Sequence, residues 1–277
     1  MFAIHKTAIN ATQGYKSGGI HTTNLIGNFD PSQGIASTHW TNQVGSGGGG
    51  LGEEGGEGEE AESSTALRRF NGITHNNSTP HNFQFDGTDD FLGQASLGYG
   101  GNAFNINIGN AFTTLVWFKH NNTTSYPCNV KVNNNNRFYL QVQSDEDVRL
   151  WIEAGGSDRF WTMNEFRSLI TSGNWYYIGV SHDGSGKWKV YLNGGFLFST
   201  FDTPYDSDAG NLMDPVGSGP LEIGRRNVSS AAYSGSGTKV GHVHVYDTQL
   251  TDSQIRRNFL ASNDKYDARI YGANYTA

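Results

Sequence analysis

Several groups of side chains in this 277-residue chain could do chemistry. His242 and His244 stand two apart in VGHVHVY (240–246), so on a strand both rings share one face and could hold a metal as His-x-His. A zinc site needs a third ligand and usually a fourth. None can be named from the sequence, so surface or satisfied-core histidines are the stronger reading. Asp86, Asp89 and Asp90 crowd FQFDGTDDFL (83–92), where Asp-Gly-Thr-Asp is good turn chemistry between two strands. Asp145-Glu146-Asp147 separates two alternating runs and reads as a solvated turn. Trp151, Trp161 and Trp175, with several tyrosines, offer flat rings on which a sugar could stack. Such rings also fill sandwich cores and partly buried interfaces, and that reading is stronger for any one of them. Cys128 is the single cysteine, so no intramolecular disulfide can form. A buried or half-buried thiol describes it better than a nucleophile. No nucleophile-elbow motif and no phosphate-cradling GxxxxGK[ST] loop occur. The run Gly47–Gly50 leads into glutamates, which would repel phosphate.

These residues must be positioned by strands. In NWYYIGVSHDGSGKWKVYLNGGFLFS (174–199), Tyr176, Ile178 and Val180 alternate with Trp175, Tyr177 and Gly179. That period of two puts one set on a buried face. Asp183-Gly184-Ser185-Gly186 turns the chain into a second run, Trp188, Val190 and Leu192. Asn193-Gly194 predicts a type I′ hairpin into a third run carrying Phe196 and Phe198. The stretch is an antiparallel meander. Further strands are expected at 25–29, at 83–85 and 91–92 flanking the aspartates, at 112–119, 137–143, 148–152, 160–163, 221–224 and 240–246, with Trp40 anchored in the core. One helix is expected: Thr251 as N-cap with Gln254 forms a capping box, Leu250 staples against Ile255, and Ile255, Phe259 and Leu260 make a narrow apolar stripe.

The boundaries follow from composition. Residues 1–20 read as an N-terminal arm able to dock on a neighbouring subunit, 21–263 as one sandwich domain, and 264–277 as a polar C-terminal tail. Within the domain, 45–64 (GSGGGGLGEEGGEGEEAESS) holds six glutamates and almost no apolar side chain. It cannot bury enough surface to offset its ordering entropy and reads as a solvated loop that could order against a basic partner or collect cations. The 37 glycines and 13% aromatic content favour strands and turns. A net charge of −7 argues against a nucleic-acid partner. No apolar run approaches membrane-spanning length, and MFAIHKTAIN lacks the apolar core of a secretion signal, so synthesis and folding in a cytoplasm are expected.

The succession FDGTDDF (85–91), FTTLVWFK (112–119), NWYYIGVSHDGSGKWKVYLNG (174–194), LEIGR (221–225) and GHVHVYDTQLTDSQI (241–255) resembles the laminin-G-like, concanavalin-A-like jelly roll over roughly 80–262. The resemblance implies an all-β fold of two stacked antiparallel sheets with one short surface helix. Glucanases on this fold carry a Glu, Asp, Glu set alternating along one strand, and no strand here has it; Glu153 stands alone after Trp151-Ile152. The expectation is therefore a non-enzymatic protein, with a glycoside hydrolase the least favoured alternative. Members of the fold class bind calcium through loop oxygens, which makes Asp86, Asp89 and Asp90 weak calcium candidates beside their turn role; no other cofactor is expected. The opening NLIGNFDPSQ and the Gly-rich insertion are similar to structural proteins of tailed phages, especially marine ones. That likeness implies a virion component, in head decoration or in a tail or fibre, whose partners are other virion proteins or copies of itself. The alternative is a carbohydrate-binding or adhesion module with surface glycans as partners.

Overall fold

In a computed structural model, the structure describes residues 19–33, 35, 39–44, 66–93, 104–163, 169–200, 213–227 and 231–268. The Glu-rich loop expected at 45–64 and the arm before Gly19 lie outside these residues. The strands run β1 (Leu25–Phe29), β2 (His39–Thr41), β3 (Ala66–Phe70), β4 (Thr74–Asn76), β5 (Asn82–Gln84), β6 (Phe91–Gly93) and β7 (Asn105–Asn107). Then come β8 (Ala111–Lys119), β9 (Ser125–Asn133), β10 (Asn136–Val142), β11 (Val148–Ala154), β12 (Ser157–Met163), β13 (Trp175–Asp183), β14 (Trp188–Leu192) and β15 (Gly195–Ser199). The last are β16 (Ser218–Glu222), β17 (Arg225–Arg226), β18 (Ala232–Tyr233) and β19 (Lys239–Tyr246), followed by helix α1 (Asp252–Ser262).

Two large sheets form the sandwich. The first has the order β15-β14-β13-β8-β19-β5-β4, with β1 also paired to β19; the second has the order β12-β11-β10-β9-β16-β7. The predicted meander is β13-β14-β15, all antiparallel. Its Asn193-Gly194 turn has φ of 48° and 76°, the two positive values a type I′ turn requires. A Cβ on Gly194 would stand 2.9 Å from the Cβ of Phe259, so this turn must be bare to fit beneath α1. Alternation sorts the side chains. Val116, Phe118, Ile178, Val180 and Val190 of the first sheet meet Cys128, Val130, Phe138, Leu140, Leu150 and Ile152 of the second in one buried core. Phe138 bridges the layers, with ring centroids 5.3 Å from Phe112 and 5.1 Å from Trp188.

Strand β9 does not stand out in the sequence, because Pro127 sits inside it. The pairing of β9 with β10 shifts register between Leu140 and Val142, and a bulge of this kind is where a sheet accommodates a proline. The helix has the expected cap: the Thr251 side chain accepts from Gln254 N, and the Gln254 side chain takes the Thr251 N–H. Leu250, Ile255 and Phe259 join Leu115, Trp117, Tyr177, Tyr191, Tyr246 and Tyr266 in a second apolar cluster on the outer side of the first sheet. Tyr266, which the sequence places in a polar tail, stacks on Trp117 with centroids 4.3 Å apart. Among the described residues, no helix is long and apolar enough to cross a membrane.

Candidate ligand-binding face

The outer side of the second sheet carries one continuous row of side chains. Because Leu221, Cys128, Phe138, Leu140, Leu150, Ile152 and Trp161 point into the core, their neighbours point out. The registers then set Glu222 beside Asn129, Asn129 beside Tyr139, Tyr139 beside Trp151, and Trp151 beside Phe160, across five strands. Tyr139 and Trp151 stack at 5.7 Å and 11°, and Trp151 and Phe160 at 5.1 Å and 12°. Burial falls along the row: Glu222 and Asn129 are closed from solvent, Tyr139 is 2% exposed, Trp151 is half-buried and Phe160 is 49% exposed.

Arginines border it. The Arg149 guanidinium lies 5.8 Å from the Phe160 centroid, and Arg226 lies 5.8 Å from Tyr139 and 6.0 Å from Tyr126. Arg137 pairs with Glu153 on the same face. At the buried end, Glu222 accepts from Asn129 Nδ2 at 2.7 Å, from Asn227 Nδ2 at 3.3 Å, and from Arg225 Nη2 in an ion pair. Burial pushes the Glu222 carboxyl up, against the opposing pull of Arg225 and the amides. Two buried polar atoms along the row have no hydrogen-bond partner among the described residues: the acceptor Asn129 Oδ1 and the donor Trp151 Nε1. A flat apolar surface thus runs alongside one unmet donor and one unmet acceptor. Rings of this kind take the apolar C–H face of a pyranose.

The three tryptophans singled out by type do not form one platform. Trp151 lies in the row. Trp161, one residue after Phe160, faces the opposite way and is wholly enclosed in the core, which leaves no ring surface for a sugar. Trp175 is half-buried on the other sheet, 4.9 Å from Tyr266.

Asp86, Asp89 and Asp90 do converge, with one carboxylate oxygen from each within 4.8 Å of the others. Hydrogen bonds account for much of this. Asp86 Oδ1 accepts from Thr88 N at 2.7 Å, and Asp90 Oδ2 accepts from Asp86 N at 2.9 Å. Burial raises the Asp90 carboxyl, and its two acidic neighbours raise it further. Each of the two histidines has one ring nitrogen engaged, while His242 Nδ1 and His244 Nε2 are buried without a partner among the described residues. His242 Nε2 meets Asn28 Oδ1 at 2.6 Å, and His244 Nδ1 meets the Tyr177 hydroxyl at 2.7 Å. Burial pushes His242 down to about 4. Cys128 is buried, and burial lifts its thiol to about 12, which removes it as a nucleophile at neutral pH.

Three carboxylates, Glu153, Asp158 and Glu222, share the outer face. Three strand spacings separate Glu153 from Glu222, roughly 14 Å at about 4.8 Å each, beyond the roughly 5–9.5 Å of glycosidase pairs. Asp158 pairs with Glu153 across a single spacing, where Arg137 holds the Glu153 carboxylate in an ion pair. Arg225 likewise holds Glu222.

Residues 93–256 match the family model of a third laminin G type, described as the concanavalin A-like lectin/glucanases superfamily. No curated protein matches the chain. Among solved structures, the binding domain of botulinum neurotoxin serotype D is similar at 13% identity and a TM-score of 0.57, covering 86% of this chain and 52% of that one. The serotype D ligand-binding domain in complex with N-acetylneuraminic acid is similar at 12% identity and a TM-score of 0.56, covering 86% and 51%. The binding domain of botulinum neurotoxin DC in complex with rat synaptotagmin II is similar at 12% identity and a TM-score of 0.53, covering 86% and 52%. The chain spans about half the length of these structures, and the likeness is one of fold.

Proposed function

We propose that this chain, which belongs to the concanavalin A-like lectin/glucanases superfamily, is a non-enzymatic recognition module that binds carbohydrate on the outer face of its second sheet. The observation that carries the reading is the row from Glu222 to Phe160. It starts in a buried, hydrogen-bonded carboxylate and ends in an exposed ring stacked on Trp151. Trp151 and Phe160 supply the stacking surface. The neighbouring Arg149 and Arg226 supply the polar contacts. Glu222 and Arg225 position Asn129 rather than acting on a bond. The arginines that hold Glu153 and Glu222 in ion pairs support the non-enzymatic part of the reading. The fold neighbours also favour recognition, being binding domains of toxins, one seen with a sialic acid and one with a protein receptor. The virion role implied by the likeness to phage proteins finds no counterpart among these matches, so the module reading takes its place.

A glycan array probed with the whole chain tests this. Wild type is expected to bind a discrete set of glycans, and Trp151→Ala and Phe160→Ala each to lose at least tenfold in affinity while still unfolding in one cooperative transition. Binding that survives both substitutions would remove the row as the site.

A further inference from the structure

A second row of side chains lies on the other sheet, beyond the end of the helix. The registers place Trp175 beside Lys119, Lys119 beside Lys239, and Lys239 beside Gln84, across β13, β8, β19 and β5. Two lysine side chains therefore leave adjacent central strands from directly opposed positions on one face, an arrangement of like charges that costs stability when nothing lies between them. Among the described residues neither lysine reaches a carboxylate. Both line an open pocket of about 130 Å³ with Trp175, Asn76, Ser78 and Asn82, and no acidic residue contributes to its wall. That space is several times the ~30 Å³ share of one water in the liquid.

Asn82 adds an independent observation. It is 3% exposed, and its Nδ2 donates to Pro80 O at 2.7 Å, which fixes the orientation of the amide. Its Oδ1 is thereby turned away from that bond, buried, and without a partner among the described residues. The pocket thus combines an unmet acceptor, two cations and the face of an indole. The acceptor asks for a hydroxyl, the cations for an anion, and the indole for an apolar C–H surface.

We propose that this pocket is a second binding site, specific for an acidic saccharide unit bearing a carboxylate or a sulfate ester. Its charged group bridges Lys119 and Lys239, its ring lies against Trp175, and one hydroxyl donates to Asn82 Oδ1. The site is separate from the row on the second sheet and does not depend on it.

The test titrates the whole chain at constant ionic strength with glucuronate, glucose 6-sulfate, glucose and inorganic sulfate, followed by calorimetry and tryptophan fluorescence. One or both acidic sugars are expected to bind at least tenfold more tightly than glucose and than inorganic sulfate. Preference for glucuronate assigns a carboxylate, and preference for glucose 6-sulfate a sulfate ester. Lys119→Gln and Lys239→Gln should each weaken that binding at least tenfold while leaving the melting temperature unchanged or raised, since each relieves the repulsion. Trp175→Phe should abolish the fluorescence change. Trp151→Ala should leave all of this intact, so failure here and failure of the sheet-face site are told apart. Equal binding of glucose, or inorganic sulfate bound as tightly as the acidic sugars, would overturn the proposal. So would acidic-sugar binding that the lysine variants leave unchanged.

Discussion

The outer faces of the two sheets carry similar rows of aromatic side chains and put them to opposite use. On the first sheet, Trp117 pairs across strands with Tyr177, and both lie beneath Phe259 and Tyr266, with Trp117 5.6 Å from Phe259 and 4.3 Å from Tyr266. The polar atoms of the two rings are answered, since Trp117 Nε1 donates to Ser262 Oγ at 2.8 Å and the Tyr177 hydroxyl meets His244 Nδ1, while His244 Nε2 has no partner among the described residues. On the second sheet, Tyr139 pairs with Trp151 and Trp151 with Phe160, yet Phe160 stays open and Trp151 Nε1 has no partner among the described residues. Stacked rings alone therefore do not distinguish a core from a site. What distinguishes them is the presence of a lid.

The largest effect should come from removing that lid. Phe259→Ala leaves a cavity over Trp117 and Tyr177 and is expected to cost about 3–5 kcal/mol, read from the urea midpoint. A loss below about 1 kcal/mol would mean that α1 is dispensable and the contrast false. Next comes acid. His242 is buried neutral, with its folded value pushed down to about 4 against 6.5 when unfolded. The unfolded chain therefore binds more protons between pH 6.5 and 4, and stability falls as pH drops through that window, by about 3 kcal/mol from this residue. Above pH 6.5 the contribution is constant. His242→Gln should flatten the slope; an unchanged slope would assign the loss to other groups such as His120, which burial likewise lowers to about 4.

Smaller still is the stability change on the open face. Trp151→Ala should cost only about 1–2 kcal/mol, because the ring is already half in water, even though the glycan-binding change is large. Equal costs for Trp151→Ala and Phe259→Ala would erase the distinction between the faces. The smallest effect is expected at the aspartates. If Asp86, Asp89 and Asp90 serve the turn, millimolar calcium should shift the melting midpoint by less than about 0.5 kcal/mol equivalent. A saturable calcium-dependent rise, lost in Asp90→Asn, would instead make the cluster a metal site.

The sheets were largely legible because their alternation is regular. Phe138, Leu140 and Val142, then Val148, Leu150 and Ile152, mark the inward face directly, and all six are buried in the common core. The capping box and Asn193-Gly194 were equally readable, being local chemistry. The site was not, since its members come from five separate strands and meet only through register. Trp151 could be picked by size, but so could Trp161, whose parity sends it inward. The overlooked signal is that same parity: if Phe138 and Leu150 face in, Tyr139 and Trp151 must face out together. Asn129 and Glu222 carried no such signal, because β9 is disguised by its proline and buried polar residues do not announce themselves by pattern.

The contacts at the helix have a further geometric outcome. Asn258 Oδ1 takes the His21 N–H, the Tyr246 hydroxyl donates to His21 O, and Arg257 Nε donates to Gly19 O. The backbone at residues 19–21 is thus moored to α1, and both lie behind the covered sheet. Any cargo domain fused at residue 19 or after residue 268 would trail from that rear corner, leaving the Trp151–Phe160 surface pointing forward like the palm of a hand held out from its wrist.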